Sequence, residues 1–201
     1  IPSVDFTSII DDNQSEIFNQ SKSQPQVSKT ENQNKQLLFG ENTSNIVEAS
    51  VVLTNLIKSD VFDKIKEGDF FLEKAFNLLN KSGASLKLID SKHPFYKKFD
   101  SKTVMLYDAV TNDIYVSQDS LDNFSQYDIV RAFIHEVVHS TTVKAYFNPK
   151  TMAEKDFREF IDKAFEQYKH LATKRDSDGN LMYGFTNQAE FIAEIYSNPE
   201  F

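Results

Sequence analysis

FIHEVVHSTT, residues 133–142, decides how this chain of 201 residues is read. With Val130 upstream, the apolar positions Phe133, Ile134, Val137 and Val138 surround most of a helix, which must therefore be substantially buried. His135 and His139 stand four apart and project from one face, about one turn from each other. Glu136 lies one position round. Polar groups inside such a helix cost free energy unless something satisfies them. Two imidazoles at i and i+4 beside a glutamate do so by holding one zinc ion, with Glu136 as the base for an attacking water, the HExxH arrangement. The competing reading is a buried helix whose histidines bond to backbone or carboxylates.

A zinc site needs a third protein ligand. The extended form HExxHxxGxxH is excluded, because Thr142 and Ala145 occupy its glycine and last histidine positions. His93, in the loop HPFYKKF, has no partner pattern and reads as a surface residue. His170 falls near the end of a helical pattern, where it favours the C-terminal dipole. Carboxylates are the better source. In TNQAEFIAEIYS, residues 186–197, Glu190 and Glu194 again stand four apart, with Phe191, Ile192 and Ile195 as apolar neighbours. One of them could complete a His-His-Glu shell and leave the fourth position to water. The other could accept the second ring N–H of a ligand histidine and fix its tautomer. A solvated acidic helix face is the alternative.

The remaining patterns place these segments in an α+β fold. NIVEASVVLTNLIKS and DFFLEKAFNLLNKSG have helical spacing, the second stopping at Gly83. SLKLID, TVMLYDAV and DIYVSQ read as strands, the last two joined through Thr111, Asn112 and Asp113. DIYVSQ is expected to offer an edge on which an extended peptide lies. Helices are expected over about 126–146, 152–174 and 187–197, the middle one opened by a Thr151/Glu154 capping box. A small mixed sheet is thus followed by the histidine helix and further helices.

Residues 11–45 are dominated by Gln, Asn, Ser and Lys. Such a stretch buries too little to offset its ordering entropy, so residues 1–43 read as a flexible polar arm or linker and 44–201 as the folded domain. Apolar residues make up 40% of the chain, and 18 Phe suggest an aromatic core. Asp and Glu number 30 against 22 Lys and Arg, a net charge of -8 that argues against nucleic-acid binding. With no cysteine there are no disulfides, thiolate metal sites or cysteine nucleophiles. No apolar run is long enough to span a membrane. IPSVDFTSII lacks the basic region and apolar length of a signal peptide and begins with Ile, so a processed product or a segment of a larger precursor is expected.

YGFTNQAEFIAE, residues 183–194, resembles the corresponding segment of the anthrax lethal factor catalytic domain and its relatives, which are gluzincin-type zinc metallopeptidases. There too the segment follows an HExxH helix and an intervening long helix. The resemblance implies a zincin-like fold with an active-site helix and C-terminal helices. It further implies Zn2+ held by His135, His139 and Glu190, with Glu136 and Tyr183 as the catalytic pair. The Tyr183 hydroxyl would point at the substrate carbonyl, and Glu194 would bind His135. Ser140, Thr141 and Thr142 are more polar than the residues usual after the second histidine. HSTT and EFIAEIYSNPEF also resemble, more loosely, metallopeptidase-like domains of large phage polyproteins. A peptide or protein substrate and a secreted or phage-particle setting follow as expectations. The rival is a particle or precursor domain that keeps zinc only as a folding clamp.

Overall fold

The sheet begins where a helix was expected. Residues 46–48 pair as strand β1 (Ile46–Glu48) before helix α2 (Ala49–Leu56) starts. Ile46 and Val47 fit both periodicities. Pairing with the neighbouring strand decides between them, since Val47 lies opposite Leu86 in an antiparallel ladder. The computed structural model describes residues 30–40, 44–63, 79–175, 183–198 and 201. Most of the helix expected over DFFLEKAFNLLNKSG lies outside them, although Leu79 near its end is buried.

The expected domain boundary at residue 44 falls too late. Helix α1 (Thr30–Phe39) precedes β1, with Leu38 and Phe39 buried in the common core. Burying these two side chains contributes about 1.5–3 kcal/mol each, which offsets part of the cost of ordering an otherwise polar segment. Asn34 is buried as well, and its amide donates to the carbonyls of Leu121 and Phe124 at 2.7 and 3.0 Å. Residues 1–29 of the expected arm lie outside the described residues.

Strands β2 (Ser85–Ile89), β3 (Met105–Asp108) and β4 (Asp113–Ser117) follow as expected, giving a mixed sheet in the order β1-β2-β4-β3. β2 and β4 run parallel with Leu86 opposite Ile114, while β3 and β4 form an antiparallel hairpin with Tyr107 opposite Ile114. Asn112 closes that hairpin with a φ of 61°. Asn is one of the few residues other than glycine that enters this left-handed region readily. The order corrects one expectation. DIYVSQ forms β4, which is paired on both sides, so the edge strands are β1 and β3.

After the short α3 (Gln118–Asn123), the chain enters the long α4 (Gln126–Phe147), capped by Ser125, whose hydroxyl accepts from the Asp128 N–H. Its apolar side chains Ile129, Val130, Phe133, Ile134, Val137 and Val138 are all buried, as the all-round pattern demands. α5 (Met152–Tyr168) carries the expected capping box and then tightens into a 3-10 turn over Lys169–Thr173, where a longer α-helix was expected. His170 faces the Gln167 carbonyl at 2.9 Å, in the helix-end role expected of it. His93 is more structural than a surface residue. It caps the turn Pro94–Lys98 by accepting from the Phe95 N–H, and its ring centroid lies 5.1 Å from that of Tyr115. α6 (Gln188–Ser197) completes the α+β fold by packing along α4.

Candidate metal centre

α4 and α6 cross so that each delivers one i,i+4 polar pair to the same place. On α4, His135 and His139 point their rings together with centroids 4.7 Å apart, nearly perpendicular. On α6, the Asn187 side chain accepts from the N–H groups of Ala189 and Glu190. That cap fixes the first helical turn and aims Glu190 at the histidines. His135 Nε2 lies 3.0 Å from Glu190 Oε2 and 3.1 Å from His139 Nε2, and the third side, His139 Nε2 to Glu190 Oε2, is 3.3 Å.

Three basic atoms so close, buried to 1% exposure or less, require a positive charge among them. A cation fits that requirement. The edge of a tetrahedron built on zinc–ligand bonds of 2.0–2.1 Å is about 3.3 Å, close to the three observed sides. The outer ring nitrogen of His135 gives the same answer. Nδ1 lies 3.2 Å from Glu194 Oε1 and 3.3 Å from Ser197 Oγ. The Ser197 hydroxyl donates to the Ala193 carbonyl, leaving its oxygen to accept. With a cation at Nε2, Nδ1 would carry the proton of a neutral ring and the Nε2 lone pair would face the ion between Glu190 and His139. These buried residues form a cluster that could hold a metal ion.

Further groups anchor the carboxylates. Asn198 Nδ2 donates to Glu194 Oε2 at 2.6 Å, and the buried Arg131 donates from Nε to the Ser197 carbonyl at 3.2 Å. Neither was singled out in the sequence. Ser197 and Asn198 stand three and four residues beyond Glu194, a spacing that could have flagged them. Arg131 stands four residues before His135 and was legible in the same way.

Without an ion the charge must come from a proton. Burial opposes a charge on His135, but its hydrogen bonds to Glu190 and Glu194 outweigh burial and hold the ring up at about 10. Burial likewise opposes ionisation of Glu190, yet His139 and His135 keep it well below the usual carboxylate range. Because His135 then stays charged up to about pH 10, a cation entering at neutral pH must displace its proton. Loading at pH 7.5 is expected to release about one proton per ion, and apparent affinity should fall about tenfold per pH unit on acidification. Titration calorimetry in buffers of different ionisation enthalpy measures that release directly. A buffer-independent heat would contradict it.

Glu136 is buried on the same helix. Burial pushes its carboxyl up to about 7, while His139, His135 and a hydrogen bond from the Tyr107 backbone N–H hold it down. Its Oε2 has no hydrogen-bond partner among the described residues. The chain thus brings together His135, Glu136, His139, Glu190 and Glu194. Tyr183 opens a 3-10 turn, Tyr183–Phe185, that packs on α6, but its side chain is not among those described. Gly184 in that turn is required by close approach. A Cβ there would lie 2.7 Å from the Phe201 ring and 2.9 Å from Glu194 Cβ. No family model, curated protein or solved structure matches this chain.

Proposed function

We propose that the chain is a zinc-dependent endopeptidase of the gluzincin type with a zincin-like fold. The observation that carries this reading is the triangle of His135 Nε2, His139 Nε2 and Glu190 Oε2 with sides of 3.0–3.3 Å, beside a buried carboxylate that has one oxygen unpartnered. His135, His139 and Glu190 would hold one Zn2+, and Glu194 would keep His135 oriented. Bound zinc supplies a Lewis acid that polarises a carbonyl and acidifies water.

The chain's own residues supply the rest. Glu136, held near neutrality by its burial, would take a proton from the attacking water and return it to the leaving amine. A carboxyl whose affinity for protons is close to the working pH serves both transfers. The Tyr183 hydroxyl would donate to the oxyanion as it develops. An extended peptide would lie along the edge strand β3, in place of the β4 edge expected from the sequence. Among the described residues no helix is long and apolar enough to cross a membrane, and the net charge of -8 disfavours nucleic acid, so a peptide or protein substrate is the consistent partner. Other segments of a larger precursor belong to that class.

One observation favours a second reading. His135, Glu136, His139 and Glu190 are only 0–2% exposed, a degree of closure that suits an ion kept as a folding clamp. The two readings separate on chelation. For the peptidase, removing zinc should abolish cleavage of a proteome-derived peptide library, and adding it back should restore the same cleavage sites. A clamp would leave the library intact in both states and lose only thermal stability.

A further inference from the structure

We propose that Tyr107 is a positioning residue of the metal centre, engaging the base and one ligand histidine at once from the edge strand β3. The inference rests on the metal reading above, but concerns a residue outside the HExxH and Glu190 sets. All three of the residue's interacting groups are engaged. Its backbone N–H interacts with the Glu136 carboxylate and holds that group's proton affinity down. Its ring lies nearly parallel to that of His139, 15° between planes with centroids 6.5 Å apart. Its hydroxyl donates to Asn112 Oδ1 at 2.9 Å. Tyr107 is 3% exposed, and burial raises its phenol to a pKa of about 12, so it remains a donor at neutral pH.

The arrangement compensates for an asymmetry between the two histidines. His135 is oriented through Nδ1 by Glu194 and Ser197, as metal-bound imidazoles usually are. The Nδ1 of His139 is buried with no hydrogen-bond partner among the described residues. Its ring orientation is therefore set by packing, and the Tyr107 ring lies alongside it. Asn112 completes the linkage. Held in the left-handed conformation at the hairpin turn, it places its side-chain oxygen to receive the Tyr107 hydroxyl. The β3–β4 hairpin is thus coupled to the metal centre through one side chain.

The test is Co2+ loading, followed by its visible d–d absorption and by competition with a chelator, for wild type, Tyr107→Phe, Tyr107→Leu and Asn112→Gly. Glycine at 112 keeps the turn and removes only the acceptor. Loss of groups that orient a ligand typically weakens metal binding about 10–100-fold. Tyr107→Leu should lose at least about tenfold in affinity and alter the absorption band, while Tyr107→Phe rescues most of both. Asn112→Gly should weaken binding about threefold, and the double variant Tyr107→Phe/Asn112→Gly should be no worse than the weaker single, because both remove one bond. A purely structural role would lower the melting temperature and leave the band unchanged. Folded Tyr107→Leu with wild-type affinity and band overturns the proposal. If Tyr107→Leu does not fold, Asn112→Gly with unchanged affinity and band does so. Wild type that takes no Co2+ instead overturns the metal reading, and this inference with it.

Discussion

Glu136→Gln is expected to retain its metal and lose peptide hydrolysis by roughly three orders of magnitude, within the 10²–10⁴-fold typical of general acid–base catalysis. The substitution is nearly isosteric. It keeps an oxygen to accept the Tyr107 N–H, and the three atoms at His135, His139 and Glu190 are untouched. What disappears is a carboxylate able to accept a proton. The fold should change little in stability, since the amide removes a buried charge but places its NH2 where an oxygen has no partner. Steady-state cleavage of an identified peptide, with metal content determined on the same sample, measures both halves. Wild-type turnover by metal-loaded Glu136→Gln would remove Glu136 from the mechanism, and loss of metal would make it a ligand.

Glu190→Ala should weaken metal binding by about 100-fold or more, beyond the upper end of what neighbours of metal ligands contribute. Removing it withdraws the only carboxylate within 3.3 Å of both histidine Nε2 atoms among the described residues. The other carboxylate on α6, Glu194, cannot substitute, because it is engaged on the far side of His135 with Nδ1 and with Asn198. The change should also lower the protonation of His135, which would lose one of its two carboxylate hydrogen bonds. Chelator competition gives the affinity. A value unchanged from wild type would show that Glu190 is no ligand.

The site was legible because its chemistry conflicts with its surroundings. Polar groups at 135, 136 and 139 among the apolar residues 133, 134, 137 and 138, and at 190 and 194 beside 191 and 192, stand out against the rule that buried helix faces are apolar. The i,i+4 spacing then places each pair on one face without knowledge of the tertiary structure. The Thr151/Glu154 capping box and the β3–β4 hairpin were legible because they depend on neighbours in sequence.

What escaped depends on distant residues. Strand order is set by the parallel pairing of residues 85–89 with 113–117, and no local pattern states that β4 lies inside the sheet and β3 at its edge. α1 reads as linker because its polar residues are counted, whereas its anchoring comes from Leu38, Phe39 and an asparagine that bonds nearly 90 residues away. Tyr107 carries no motif at all. Its relation to Glu136 and His139 exists only once β3 is laid beside α4.

The central claim is that His135, His139 and Glu190 converge on a metal ion. Crystals of the zinc-loaded chain, measured on either side of the zinc absorption edge, test it most directly. The account predicts one anomalous peak about 2.0–2.2 Å from His135 Nε2, His139 Nε2 and a Glu190 carboxylate oxygen. An anomalous map with no peak among those three atoms, from crystals grown with saturating zinc, would contradict it.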